Sequence, residues 1–296
     1  MTKLTKYLLF TFISSWILFV IGSSDHSKGS AAGDMGFSYA TSLCMFMPTI
    51  GALVAKEDFR KMGWNPKLDK NIKPALIAWL SPTVFQIIGA VCYYIVFPKD
   101  LDTSGAFMKE FFPHDFELYE KCGSSFVRFY AKETLASLTS FYLIPAVVLG
   151  LGEEIGWRGC MFPELKERFG YTKGVLIGGA IHGAWHFPLM LLIGYEYGKD
   201  YIGAPLLGLF AFCVFSVATG IISDFLYEKS HSIWYSGLFH GCINSTVNVY
   251  LLGADERRTI FGPSDIGLVA VIPIVLFAAG IIYFKNRNAD MEFEEI

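Results

Sequence analysis

The chain has 296 residues, of which 53% are hydrophobic and 17% charged, and its formal net charge is −3. Soluble globular domains carry about 25% charged residues, so this composition is typical of a membrane protein. So small a net charge does not indicate a nucleic-acid partner, and six cysteines without a CxxC pair indicate neither a disulfide framework nor a cysteine zinc site.

Apolar segments recur along the whole chain, each close to the ~20 residues that cross ~30 Å of hydrocarbon. The first follows Lys3 and Lys6 and resembles a signal peptide, but it is long for one and more hydrophobic segments follow, so we interpret it as a retained helix. The sequence predicts an all-α, polytopic membrane protein, with about eight transmembrane helices surrounding an intramembrane polar site in a single domain, 1–296. The predicted spans are 7–22, 37–55, 74–97, 138–162, 174–194, 203–225, 231–252 and 266–284.

The distribution of lysine and arginine predicts the orientation. The segment 56–73 carries six of these cations, which indicates that it is cytoplasmic. Both termini and 163–173 then lie inside, while the aromatic-rich 98–125 loop lies on the outer membrane surface. In this arrangement Arg257 and Arg258 fall on the outer side, against the positive-inside rule. Two arginines do not outweigh the many lysines on the inner side. The sequence thus predicts a multi-pass protein of the lipid bilayer, in the plasma membrane if the host is prokaryotic.

The fourth span contains Glu153, Glu154 and Arg158 inside an otherwise apolar stretch. An ionised carboxylate at membrane depth costs at least ~2.5 kcal/mol, which makes such a residue a candidate for function. A structural ion pair with Arg158 would neutralise one glutamate and leave the other charge unbalanced. The pair therefore indicates a functional site.

Two further spans carry polar side chains four residues apart, which places each set on one helix face. These are His182 and His186 in the fifth span, and His240, Asn244 and Asn248 in the seventh. At ~1.5 Å per residue, Glu153, His186 and His240 each lie ~15–20 Å from the cytoplasmic ends of their spans. This shared depth predicts that the three spans contribute to one site.

Several of these residues also have a purely structural interpretation. His182, one turn from His186, is interpreted mainly as structural, Asn248 as a hydrogen bond between helices, and Trp157 and Trp185 as packing residues. GxxxG spacings at Gly152 and at Gly179 favour close helix packing beside the polar groups.

The remaining carboxylates, histidines and asparagine suit hydrolysis. A carboxylate in an apolar pocket can accept a proton from water, and histidine can position that water, bind a metal or protonate a leaving amine. A histidine followed one turn later by asparagine can donate hydrogen bonds to a developing oxyanion.

Three motifs in the chain resemble those of one known family. Glu153-Glu154-x-x-x-Arg158 is similar to its EExxxR motif, the run from Trp185 through His186 to Leu189 resembles its second motif, and His240-x-x-x-Asn244 matches HxxxN. The family is that of the CAAX protease and bacteriocin-processing intramembrane proteases, which includes the type II CAAX prenyl endopeptidases. The resemblance covers about residues 138–250. The second motif of the family is often written FxxxH. In this chain His182 stands at the phenylalanine position, which leaves the role of His182 open.

The resemblance implies peptide-bond hydrolysis in a cavity open toward the cytosol. Glu153 would activate the water, Glu154 and Arg158 would support it, His186 would hold the water or a metal, and His240 and Asn244 would stabilise the oxyanion. Either no cofactor is needed, or Glu153, His186 and His240 hold one divalent metal such as zinc. The implied substrates are a prenylated CAAX protein, a leader peptide, a bacteriocin or a membrane-protein segment.

Two other functions fit the same residues. Buried glutamate and histidine also form proton relays in transporters, so a proton-coupled carrier is one alternative. A catalytically inactive relative that acts as an immunity or scaffold protein is the other.

Overall fold

The computed structural model describes residues 1–139, 143–245 and 249–294. Within these ranges all regular structure is helical, which confirms the predicted all-α class. The α-helices are α1 (Lys3–His26), α2 (Ala31–Cys44), α3 (Met47–Val54), α4 (Ile72–Val96), α5 (Ala106–Phe111), α6 (Pro113–Lys121), α7 (Phe126–Thr139), α8 (Leu143–Gly156), α9 (Phe162–Phe169), α10 (Tyr171–Trp185), α11 (Phe187–Ile193), α12 (Leu206–Ser230), α13 (Ile233–Ser245) and α14 (Ile272–Glu294). A π-helical turn, Trp157–Met161, joins α8 to α9.

In the described part of the chain, five helical segments are long and apolar enough to cross a membrane. They are α1, α2 with α3, α4, α10 with α11, and α12. A sixth is present if α7 and the α8–α9 segment, whose axes differ by 60°, form one bent span. The protein is therefore an integral membrane protein, but the predicted count of eight spans is not confirmed. The fourth predicted span includes residues 140–142, and Asn248 of the seventh also lies outside the described residues.

The bundle has two ends, which differ in composition. At one end the 55–71 segment packs on the α12–α13 connection, where Asn71 donates to the carbonyl of Ser230 at 3.1 Å and Trp234 Nε1 donates to the carbonyl of Trp64 at 2.7 Å. This end, which also carries the α9–α10 junction and the last described residues of α14, is called the lysine-rich end.

The opposite end carries the loops 97–105, 194–205 and 253–271. Asp100 and Arg258 join two of these loops through paired hydrogen bonds of 2.9 and 2.6 Å. The aromatic-rich loop predicted for 98–125 forms the short helices α5 and α6, whose Met108 and Tyr119 pack with Phe129 of α7.

Glycines permit close contacts of the helices that carry the polar residues. A Cβ atom on Gly156 would lie 2.5 Å from Pro48 of α3, and one on Gly179 would lie 2.5 Å from Val217 Cα of α12. Small residues allow this approach in lipid, where packing rather than water exclusion holds helices together. The predicted close packing is thus present, although Gly152 and Gly156 face Met45 and Pro48 rather than another motif-bearing helix.

Aromatic rings fill the interior beside the polar groups. Trp157 and Trp185 are almost completely buried, and their ring centroids lie 5.8 Å apart in an edge-to-face arrangement. Tyr7 and Phe19 of α1 pack on these two tryptophans at 5.9 and 5.0 Å. Helix α1 is therefore an integral part of the bundle and forms one wall beside the candidate site.

Candidate active site

Glu154 is enclosed by hydrogen-bond donors from three helical segments. Its Oε1 accepts from Arg158 Nη1 at 2.9 Å and from His240 Nδ1 at 2.8 Å, while its Oε2 accepts from Ser223 Oγ at 2.9 Å. The carboxylate is 1% exposed. Because an ionised carboxylate only accepts, His240 must carry its proton on Nδ1. Both oxygens of Glu154 are thus occupied by protein groups, and the residue joins α8, α12 and α13.

The Arg158 side chain is buried with Glu154. Its guanidinium lies over the Phe162 ring, 4.5 Å from the ring centroid. The i, i+4 spacing of Glu154 and Arg158 places the two side chains on one helix face across the start of the π-helical turn. A planar guanidinium suits a site that combines a carboxylate with an aromatic face.

Glu153 has a different environment from its neighbour. Its Oε2 accepts from Trp157 Nε1 at 3.0 Å and is 3.1 Å from His182 Nε2. Its Oε1 lies 3.9 Å from His240 Nε2, beyond hydrogen-bond distance. Glu153 is therefore fixed through one oxygen while the other faces the histidines across a gap.

Three histidines surround that gap. The His182 ring lies 5.5 Å from the His186 ring and 6.3 Å from the His240 ring, measured between centroids. His186 Nδ1 is 3.3 Å from the carbonyl of His182, so that nitrogen donates and Nε2 is left for another partner. The structure thus brings His186 and His240 together with Glu153, although they come from different helical segments.

These groups line a cavity of about 440 Å³. Asn244 lines the same cavity, so all six site residues predicted from the sequence border one space. Phe19 and Met45 form another part of the wall, and Phe212 packs on the His186 ring at 4.7 Å. The lining of the cavity therefore combines ionisable groups with apolar side chains that pack against them.

The cavity extends toward the end of the bundle opposite the lysine-rich end. Glu196 of the 194–205 loop and Asp265 of the 253–271 loop line it there, and Glu196 is exposed. Burial raises the pKa of Asp265 to about 6. Glu196 contributes a second carboxyl group to the same part of the lining. We call this part of the cavity, formed by Glu196, Ser264 and Asp265, the mouth.

The position of the mouth conflicts with one pair of expectations. The lysine pattern predicts a cytoplasmic lysine-rich end, while the family resemblance implies a cavity open to the cytosol. Together the two expectations require a cavity that reaches the lysine-rich end, whereas its described lining reaches the opposite end at Glu196 and Asp265. The reason is that the positive-inside rule reports on loops, whereas the direction in which a cavity opens depends on how the helices pack around it.

The residues suggested as metal ligands do not form a ready binding group. Glu153, His186 and His240 border the cavity, but no group of three histidine, cysteine, aspartate or glutamate residues in the described part of the chain is placed to hold a metal ion. His240 uses Nδ1 for Glu154, and Glu153 uses Oε2 for Trp157. Glu153 Oε1 and the Nε2 atoms of His186 and His240 therefore remain open toward the cavity, where they can hold a water molecule.

Some site residues were missed or given only a structural interpretation. Ser223 was not singled out, yet it donates to Glu154; the stripe Ser216, Thr219 and Ser223 in apolar α12 was a visible signal. Trp157 packs as expected but also donates to Glu153, and His182 contacts the same carboxylate oxygen. An i, i+4 pair of tryptophan and glutamate was the available signal for the first of these contacts.

Comparison with known proteins identifies one family that the motif-bearing part of the chain resembles. Residues 135–246 match the family described as "Type II CAAX prenyl endopeptidase Rce1-like". The chain is also 30% identical over 145 residues to "CAAX prenyl protease 2" of Methanococcus maripaludis, and the aligned region spans 49% of this chain and 48% of that protein. The resemblance indicated by the three motifs is confirmed, and the matched segment contains all six predicted site residues.

Proposed function

We propose that this protein is an intramembrane endopeptidase in which Glu153 activates a water molecule for peptide-bond hydrolysis. The observation that carries the proposal is the asymmetry of the two adjacent glutamates. Glu154 is saturated by three donors, whereas Glu153 is held through Oε2 and presents Oε1 to the cavity. A general base needs a fixed orientation and one open oxygen, and only Glu153 has both.

The reaction can be written with the side chains in place. A water between Glu153 Oε1 and His186 Nε2 gives its proton to Glu153 as its oxygen attacks the scissile carbonyl carbon. The resulting oxyanion accepts hydrogen bonds from His240 Nε2–H and the Asn244 amide. The tetrahedral intermediate then collapses, the carbon–nitrogen bond breaks, and the proton on Glu153 passes to the leaving amine.

The oxyanion role requires His240 to carry a proton on both ring nitrogens. Two carboxylates and one guanidinium leave one negative charge in the buried cluster, and a His240 imidazolium neutralises it. Glu154 supports this form by accepting the Nδ1 proton at 2.8 Å. The role of Glu154 and Arg158 is therefore to hold His240 and to set its charge, not to contact the substrate.

The substrate follows from the side on which the mouth lies. Among the residues outside the central site, more lysines and arginines lie at the lysine-rich end than at the other, so we assign that end and both termini to the cytoplasm. The mouth then faces the opposite side of the membrane. This arrangement favours a leader peptide, a bacteriocin or an exported membrane-protein segment over a prenylated CAAX protein in the cytosol.

Cysteine labelling in intact cells tests this orientation. In a variant whose native cysteines are replaced, Lys199→Cys lies in a mouth-side loop and Lys67→Cys lies at the lysine-rich end; both positions are exposed. A membrane-impermeant maleimide should label position 199 and not position 67. The reverse pattern would place the mouth in the cytosol and favour the prenylated CAAX class.

Peptide release tests the activity itself. Membranes that contain the wild-type chain and membranes that contain Glu153→Gln are compared by mass spectrometry of the peptides that they release. Endopeptidase activity predicts cleavage products that are present only with the wild type. Proton-coupled solute flux into vesicles without such products would favour the transporter, and neither flux nor products would favour an inactive scaffold or immunity protein.

A further inference from the structure

A second cavity, remote from the candidate active site, lies at the lysine-rich end between α9, α12 and α14. It has a volume of about 490 Å³ and is lined mainly by basic side chains. We call it the basic pocket; its lining lysines are Lys61, Lys166, Lys229 and Lys285. None of these residues has a role in the hydrolytic chemistry proposed above.

The basic pocket has an excess of positive charge. Lys166 bonds to Asp224 at 2.7 Å and to Glu228 at 2.8 Å, and Lys285 also bonds to Glu228. These two acids offset two of the four lysines. Lys61 and Lys229 are exposed and have no ion-pair partner within the described ranges, so two positive charges are left for a ligand.

An apolar groove leads away from this pocket along the lipid-facing surface. It has a volume of about 680 Å³ and runs between α10, α12 and α14. Along α14 it extends from Val275 to Asn286, about 16 Å at 1.5 Å per residue, which is close to half of the ~30 Å hydrocarbon thickness. Its length therefore suits an acyl chain of one bilayer leaflet.

The two features meet at the end of α14. Lys285 lines the basic pocket, and its Nζ lies 4.2 Å from the centroid of the Tyr171 ring. The next residue along each helix, Thr172 and Asn286, lines the groove, and the two are joined by a hydrogen bond of 3.1 Å. A cationic site thus lies directly beside the polar end of an apolar groove.

We propose that the basic pocket and the groove together bind one anionic phospholipid, with the headgroup phosphate among the lysines and an acyl chain along α12 and α14. Charge complementarity determines the choice of ligand, because a zwitterionic headgroup gains little from two uncompensated lysines, whereas an anionic one gains from each of them. Basic pockets between membrane helices are known sites for such headgroups.

Native mass spectrometry of the delipidated full chain tests the proposal. The protein is incubated with equal amounts of phosphatidylglycerol and phosphatidylcholine in neutral detergent. Retention of phosphatidylglycerol should dominate in the wild type. Since each lysine near an anionic surface contributes a factor of about five, Lys61→Gln with Lys229→Gln should lower that selectivity roughly 25-fold. Equal retention of the two lipids by the wild type would overturn the proposal.

Two further variants define the site. Lys99→Gln with Lys121→Gln removes two exposed lysines near the opposite end and should leave selectivity unchanged. Ala279→Trp fills the groove from an exposed position and should abolish phosphatidylglycerol retention. If Ala279→Trp retains the lipid, the groove does not hold the acyl chain and the proposed lipid site is wrong. If glycerol 1-phosphate displaces the lipid at equal concentration, the pocket recognises the phosphate group alone, which also overturns the proposal.

Discussion

The same substitution should affect the two adjacent glutamates differently, through catalysis at Glu153 and through stability at Glu154. In Glu153→Gln the new amide oxygen can still accept from Trp157 Nε1 and from His182 Nε2, which now lie at 3.0 and 3.1 Å from Oε2. The fold should therefore be retained, but the base is lost. Removal of a general base costs 10²–10⁴-fold, so we expect kcat to fall by about that factor.

Glu154→Gln removes the negative charge from a buried ion pair. Arg158 and Glu154 are 2% and 1% exposed and lie 2.9 Å apart. Breaking such a pair leaves an uncompensated guanidinium and costs about 3–5 kcal/mol. We therefore expect Glu154→Gln to lower thermal stability in detergent markedly, and to lower activity mainly through the loss of folded protein and of His240 orientation.

The assay combines peptide release in proteoliposomes with thermal unfolding of the same preparations. Glu164→Gln is the matched control, because Glu164 pairs with Arg168 at the same i, i+4 spacing but in a more exposed position, where such pairs contribute only about 0.3–0.5 kcal/mol. If Glu154→Gln is folded and inactive while Glu153→Gln keeps wild-type kcat, the assignment of the base is wrong.

Three further outcomes are expected. Purified protein should contain substoichiometric metal and keep its activity in a chelator, because the candidate ligands are not grouped for a metal; stoichiometric zinc whose removal abolishes cleavage would contradict this. His182→Phe restores the FxxxH pattern and should lower kcat/KM about tenfold, since one charge-assisted hydrogen bond of ~1.5 kcal/mol to Glu153 is lost; a loss as large as that of Glu153→Gln would give His182 a direct catalytic role. Asp100→Asn should destabilise the loops by about 1 kcal/mol at pH 7, because Arg258 is partly exposed. Burial opposes ionisation of Asp100, but hydrogen bonds from Arg258 outweigh it and lower the pKa. The stability difference between wild type and Asp100→Asn should therefore be present above about pH 4 and disappear as the pH falls through the lowered folded-state pKa; an equal difference at all pH values would refute the role of that charge.

The sequence predicted the contents of the site better than its internal arrangement. The free-energy cost of an ionised carboxylate inside a membrane identified Glu153 and Glu154 as candidates. The helical rise of ~1.5 Å per residue placed His186 and His240 at the same depth as Glu153. The structure brings all of them to one cavity. Spacing along a helix, however, reports only which face a residue occupies, so it could not show that Ser223 donates to Glu154 from another helix.

The same limit applied to the roles of the two glutamates. Adjacent residues on a helix point about 100° apart, so Glu153 and Glu154 meet different neighbours although their sequence environments are nearly identical. Only the packing of α12 and α13 reveals that one carboxylate is saturated and the other has an open oxygen.

The direction of the mouth has the widest consequence for function. The motif residues carry the proposed chemistry, but they do not indicate from which side of the membrane the substrate approaches. Here the lysines collect at one end of the bundle and the cavity reaches the other end at Glu196 and Asp265. If both the charge rule and the hydrolytic site are correct, the substrate of this chain approaches from outside the cytoplasm, and a cytosolic prenylated protein could not reach Glu153. The labelling of positions 67 and 199 therefore decides between substrate classes that the motifs alone treat as equivalent.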